Sequence, residues 1–144
     1  MISQREQITE ALYILLEQIK QSNGYNNNVA VIRDRVGWDS TNKDPALFLD
    51  EYEPEIIEDI AFELIRGRLS FVVAGKTYGS PQKMNSIVQD IRSILEDEVQ
   101  NATYQPYLSM QRVLSYNSSS DPSDKLKYLE VYFTVDYFYG PGSS

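Results

Sequence analysis

Leu126-Lys127-Tyr128-Leu129-Glu130-Val131-Tyr132-Phe133-Thr134-Val135-Asp136-Tyr137-Phe138-Tyr139 is the stretch that decides the fold class. Leu129, Val131, Phe133, Val135 and Tyr137 take every second position, and Tyr128, Glu130, Tyr132, Thr134 and Asp136 fill the places between. An extended chain sends successive side chains to opposite faces, so this alternation predicts a strand with one core face and one mixed face. Fourteen residues at about 3.3 Å each reach roughly 45 Å, more than a usual strand, so part of it should project past the helices that cover it. Such an overhang needs a neighbour, and Tyr128 and Tyr132 on the outer face are its candidate anchors, because tyrosine is enriched at protein interfaces.

Working outward, residues 60–78 read as a second strand, with Ile65, Leu69, Phe71 and Val73 on one face, Arg66, Arg68 and Ser70 opposite, and Gly67 and Gly75 as candidate bulges. Residues 29–36 alternate as well, with Ala30, Ile32 and Val36 against Arg33 and Arg35. Ala46-Leu47-Phe48-Leu49 is extended and apolar, and residues 108–116 are a weaker strand candidate. Residues 37–45 are rich in turn formers and predict an exposed loop carrying Trp38, whose indole is expected to be buried only against a partner subunit or, on the alternative reading, to fold back on its own domain. Six of the ten residues from Asp50 to Asp59 are acidic and Pro54 interrupts them, which predicts a solvated connection or a guarded strand edge.

Two segments have helical periods. Ser3-Gln4-Arg5-Glu6 has the S-x-x-E pattern of a capping box, Ile8, Ala11, Leu12, Leu15, Leu16 and Ile19 follow at helical spacing, and Asn23-Gly24 is a stop, predicting a helix over residues 3–22. Ser80-Pro81 is a start signal ahead of Met84, Ile87, Val88, Ile91, Ile94 and Leu95. The order helix, strands, helix, strands predicts an α+β fold: a largely antiparallel sheet packed on one face by two amphipathic helices. Residues 1–144 read as a single domain, with 140–144 a frayed tail and 117–124 a serine-rich loop.

Composition narrows the chemistry. The 144 residues contain no cysteine and no histidine. That excludes disulfides, thiolate nucleophiles, imidazole bases and histidine metal sites. A formal net charge of −8 opposes affinity for a phosphate backbone. No apolar run approaches the ~20 residues of a membrane span, and the start Met1-Ile2-Ser3-Gln4-Arg5-Glu6 lacks the order of a signal peptide.

The remaining motifs fail on spacing. Gly75-Lys76-Thr77 copies the end of a P-loop, but Ser70 stands where the earlier glycine belongs, and the lysine ends a strand. The carboxylates of residues 50–59 lack calcium-loop spacing and are not followed by the Glu-x-Lys of a metal nuclease. Asn101-Ala102-Thr103 and Asn117-Ser118-Ser119 match a glycosylation pattern that has no meaning without secretion. No catalytic residue, cofactor or metal site is expected. Arg33, Arg35, Arg66 and Arg68 are expected to share the outer sheet face, where they would meet water, a neighbouring subunit or a phosphate.

The layout resembles the tail-terminator proteins of long-tailed bacteriophages over most of the chain. The resemblance rests on the opening helix closed by Asn23-Gly24-Tyr25, residues 29–36, Asp44-Pro45-Ala46-Leu47-Phe48-Leu49, Arg66-Gly67-Arg68-Leu69-Ser70-Phe71, Asp90-Ile91-Arg92-Ser93-Ile94-Leu95 and the aromatic last strand. It implies a structural virion protein of the neck, assembled in the host cytoplasm, with no enzymatic activity. Such a protein forms a ring, commonly a hexamer, that ends tail growth and joins tail to head. The implied partners are its own copies, the tail tube protein and a neck or head-completion protein, with DNA only passing through the lumen and no membrane. Other readings are a sibling neck protein, a carboxylate-and-metal accessory enzyme, and a small acidic binding or inhibitor module.

Overall fold

A computed structural model describes residues 4–61, 64–99, 107–117 and 126–139. Helix α1 (Gln4–Glu17) leads through a 3-10 turn (Gln21–Asn23) to strand β1 (Ala30–Val31) and helix α2 (Arg35–Ser40). Strands β2 (Ala46–Ala61) and β3 (Leu64–Tyr78) precede helix α3 (Pro81–Val99), and β4 (Tyr107–Asn117) and β5 (Leu126–Tyr139) complete the order. The five strands form one sheet in the order β1-β2-β3-β5-β4. Only the β1–β2 pair is parallel. The expected α+β class, with a largely antiparallel sheet, is therefore observed.

β3 and β5 form the centre, in unbroken register from Ile65↔Tyr139 to Tyr78↔Leu126. Leu69, Phe71 and Val73 of β3 and Leu129, Val131, Phe133 and Val135 of β5 are at most 1% exposed. Ile8, Leu12 and Leu16 of α1, Ile19 beyond it, and Ile87, Ile91, Ile94 and Leu95 of α3 pack on this face. Phe71 and Phe133 stack at 5.6 Å in the middle. Burying a side chain of this size contributes about 1.5–3 kcal/mol. The start of α3 is the one expected: Ser80 Oγ accepts from Lys83 N at 3.2 Å.

Several boundaries differ from expectation. Helix α1 ends at Glu17 because Lys20 turns extended (φ −136, ψ 146), and the Asn23-Gly24 stop instead closes the 3-10 turn with Gly24 at φ 92. Ser3 of the expected capping box and the 118–125 and 140–144 segments lie outside the described residues. The strand expected over 29–36 contracts to Ala30–Val31. Asp34 caps a new helix there, its carboxylate accepting from Gly37 N.

Of the two readings of the acidic run, the guarded strand edge holds and the connection does not. Residues 50–59 belong to β2, which pairs with β3 to the Ala61↔Leu64 rung, so the single strand expected over 60–78 is the end of one strand and all of the next. Register slips between Glu51 and Glu53 and between Glu53 and Ile56, around Pro54, which has no N–H to give the ladder. Neither Gly67 nor Gly75 is a bulge. A Cβ at Gly67 would lie 2.3 Å from Cζ of Tyr137, and one at Gly75 would lie 2.9 Å from Cδ2 of Leu47. Both glycines therefore admit close packing.

Two carboxylates fasten loops to this frame. Asp90, 2% exposed on the core side of α3, accepts from the backbone N–H of Asn26 at 3.0 Å and of Asn27 at 2.9 Å, and from both asparagine side chains at 3.0 and 2.9 Å. Asp44 accepts from Thr77 Oγ1 and, at 3.1 Å, from Lys83 Nζ, tying the α2–β2 connection to the end of β3.

Candidate assembly surface

The outer face of the sheet is the surface not packed by α1 and α3. At one end α2 lies over it. Trp38 sits against Phe48 of β2 (ring centroids 6.3 Å) and Tyr128 of β5 (6.2 Å), and its Nε1 donates to Ala46 O at 2.9 Å. At 5% exposure, Trp38 is buried in its own fold, which corrects the exposed loop expected for it. Six helical residues from the Asp34 cap suffice to turn the indole inward, a packing that the turn-rich composition concealed. Arg35 and Lys76 lie over the indole at 5.7 and 5.2 Å, geometry suited to cation–π attraction.

Beside this cluster a cavity of about 360 Å³ is lined by Arg35, Trp38, Asp50, Tyr128, Glu130 and Tyr132, among others. Further along, Tyr132 meets Tyr52 edge-on at 5.0 Å, carries the Arg112 guanidinium 4.3 Å above its ring and donates its hydroxyl to Glu130. The bond to Glu130 holds the Tyr132 hydroxyl above its ordinary pKa. Tyr52 and Arg112 were not legible as partners of this face, because the bulges on β2 and β4 change which residues share a side.

The four arginines do not share one face. Arg33 bonds Glu10 at 2.7 Å and Glu17 at 3.0 Å on α1 and lies over the Tyr13 ring, so it belongs to the helix layer. Arg35 is at the α2 end. Arg66 and Arg68 are on the outer face but are engaged across rungs of the sheet, Arg66 with Glu58 and Arg68 bidentate with Asp136 at 2.7 and 3.0 Å. The Asp136 carboxylate raises the Arg68 pKa. These pairs are partly exposed and contribute about 0–1 kcal/mol each, so they set register more than stability.

The surface is unusual where the β2–β3 hairpin leaves the helices. Ile57 pairs with Gly67 on the core side yet is 58% exposed, and Ile56, beside it on the outer side, is 45% exposed. Leu64 and Phe138, within a few rungs, are each 37% exposed. The projection expected of β5 thus belongs mainly to this hairpin, since β5 stays covered on its core side through Tyr137.

Among the described residues, no group of three or more His, Cys, Asp or Glu side chains could hold a metal, and no helix is long and apolar enough to cross a membrane. No protein-family model matches the chain, and no curated protein matches it.

Proposed function

We propose that the chain is a structural subunit without catalytic activity that assembles into a ring, six-membered by the family resemblance, at the head-proximal end of a phage tail tube. There it terminates tail growth and joins tail to head, meeting the tail tube protein below and a neck protein above. The observation that supports assembly is the hairpin end, where Ile56, Ile57, Leu64 and Phe138 stand open on both faces of one sheet end. Single exposed apolar residues are ordinary, but a cluster at a projecting end favours a protein contact. The phage assignment is supported by the sequence resemblance alone. The net charge of −8 is compatible with a lumen through which DNA passes without sticking.

The acidic-module reading is favoured by the Asp50, Glu53 and Asp59 carboxylates of β2, which have no ion partner among the described residues. Negative-stain electron microscopy with light scattering separates the two. Rings with a central hole are expected, and a monomer at every concentration would refute the ring and favour the module.

A further inference from the structure

The sheet ends in two open edges of similar length and opposite charge. On one side β1 covers β2 only at Ala46 and Leu47 and the Tyr13 hydroxyl takes the Leu49 carbonyl, so no described strand takes the outward backbone groups of residues 50–61. On the other side ten of the eleven residues of β4, all but the bulged Gln111, pair with β5 along one flank, and no described strand pairs along the other. The free stretch of β2 carries Asp50, Glu51, Glu53, Glu55, Glu58 and Asp59 and no basic residue; Arg5 pairs with Glu51 and Glu55 and Arg66 with Glu58, which leaves Asp50, Glu53 and Asp59 without an ion partner among the described residues, whereas β4 carries Arg112 and no acidic residue.

Charge and direction select among the possible pairings. Two β2 edges meeting would set carboxylates opposite carboxylates, which is unfavourable directly across a ladder. Two β4 edges meeting would make a closed pair and leave both β2 edges open. In one chain β2 opposes β3, β3 opposes β5 and β5 opposes β4, so β4 runs antiparallel to β2. A neighbour in the same orientation therefore brings its β4 antiparallel to this β2, continuing the pattern of the sheet. Val113 and Leu114 of β4, 41% and 42% exposed, lie on opposite faces, as do Ile56 and Ile57 of β2, so both sides of the new ladder gain an apolar contact.

We propose that neighbouring subunits join by adding the β4 edge of one copy to the β2 edge of the next, a head-to-tail contact that uses both edges of every subunit and closes as a ring. This rests on the ring reading above and names the surfaces that make it. The contact is isologous in neither strand, so it propagates around the ring instead of stopping at a dimer.

The absence of cysteine from the chain gives a direct test. One variant carries Val113→Cys; a second set carries single cysteines from Glu53→Cys, Ile56→Cys, Ile57→Cys and Glu58→Cys, and folding of each is checked by circular dichroism. Each β2 variant is mixed with a size-tagged Val113→Cys chain, oxidised and resolved without reductant, with light scattering in parallel. Disulfides need Cα separations of about 4.4–6.8 Å, so the expected result is a mixed β4–β2 crosslink at some β2 positions and not at their neighbours, exceeding like-with-like crosslinks. Oligomers that give only like-with-like products, or none across the set, overturn the edge pairing and leave the ring reading standing. A chain that stays monomeric overturns both.

Discussion

Replacing Asp90 by alanine should destabilise the domain even though it removes a negative charge from a chain whose net charge is −8. Relief of self-repulsion alone would favour the variant. Against that, the carboxylate collects two backbone N–H groups and two side-chain amides from Asn26 and Asn27 while only 2% exposed. Leaving a backbone donor without its acceptor costs about 1–3 kcal/mol. Asn26 is itself exposed and can recover water, so the sum for the two amides should fall near the lower end, at about 2–4 kcal/mol. For a domain of this size that lowers Tm by roughly 4–16 °C. Asp90→Asn, which keeps one acceptor oxygen, should lose about half as much. Urea denaturation followed by circular dichroism gives the free energies, and amide exchange at Asn26 and Asn27 should quicken in Asp90→Ala at temperatures well below melting. A stability within 0.5 kcal/mol of the parent, with unchanged exchange at both amides, would show that the clasp does not hold the loop.

Gly67→Ala should cost about 1–3 kcal/mol by forcing the Tyr137 ring from its seat, and less in a Tyr137→Ala background; additive denaturation energies would refute the close-packing account. Trp38 should emit in the blue in the isolated subunit and keep that emission on assembly, since its own fold already buries it; red emission from the monomer would contradict the α2 packing. The Tyr13 hydroxyl, donating to Leu49 O at 2.9 Å, is raised above its ordinary value of 10.0 chiefly by burial. The folded state therefore keeps a proton that the unfolded chain gives up, and this stability, present below about pH 10, is lost as pH rises through the folded pKa. Tyr13→Phe should flatten the alkaline limb of a Tm-against-pH profile, and an unchanged limb would assign it elsewhere. Tyr132→Ala should melt cooperatively and assemble like the parent, because Tyr132 lies on the inner strand β5, away from both edges, and its ring is engaged by Tyr52 and Arg112 of its own fold; a loss of about 2 kcal/mol or more of assembly in sedimentation would put the outer face in the interface instead.

The central strands and the long helices were legible because burial imposes period on sequence there. Leu129, Val131, Phe133 and Val135 must all be apolar to face α1 and α3, and the boundaries of β5 coincide with the expected ones. Asp90 was hidden by the same logic. It stands on the core side of an apolar helix, and only the distant Asn26-Asn27 pair makes it tolerable there. A side chain whose acceptable partners lie more than sixty residues away leaves no local signature. The position of Trp38 was hidden for a related reason: the composition of residues 37–45 describes the turns that carry the indole but not the Phe48 and Tyr128 rings that receive it.

The acidic run of β2 shows where composition stops deciding. A solvated loop and an edge strand open along one flank both tolerate carboxylates, and here Arg5 of α1 pairs with Glu51 and Glu55 while Arg66 of β3 pairs with Glu58, so the run needs no apolar alternation. What makes residues 50–59 a strand is the length of β3, whose residues from Arg66 to Val72 pair on the other flank with β5 and so hold a straight template for them. The template dictates extension, and the bulges around Pro54 absorb the residues that do not fit. Because the partner supplies the order, the charges of β2 are not needed to specify the strand. Asp50, Glu53 and Asp59, without an ion partner among the described residues, discourage pairing of this open edge with a second acidic edge, while an edge bearing only a cation, as β4 does, meets no such repulsion. The feature that left this segment open between connection and guarded edge is therefore also the one that restricts which strand can pair with it.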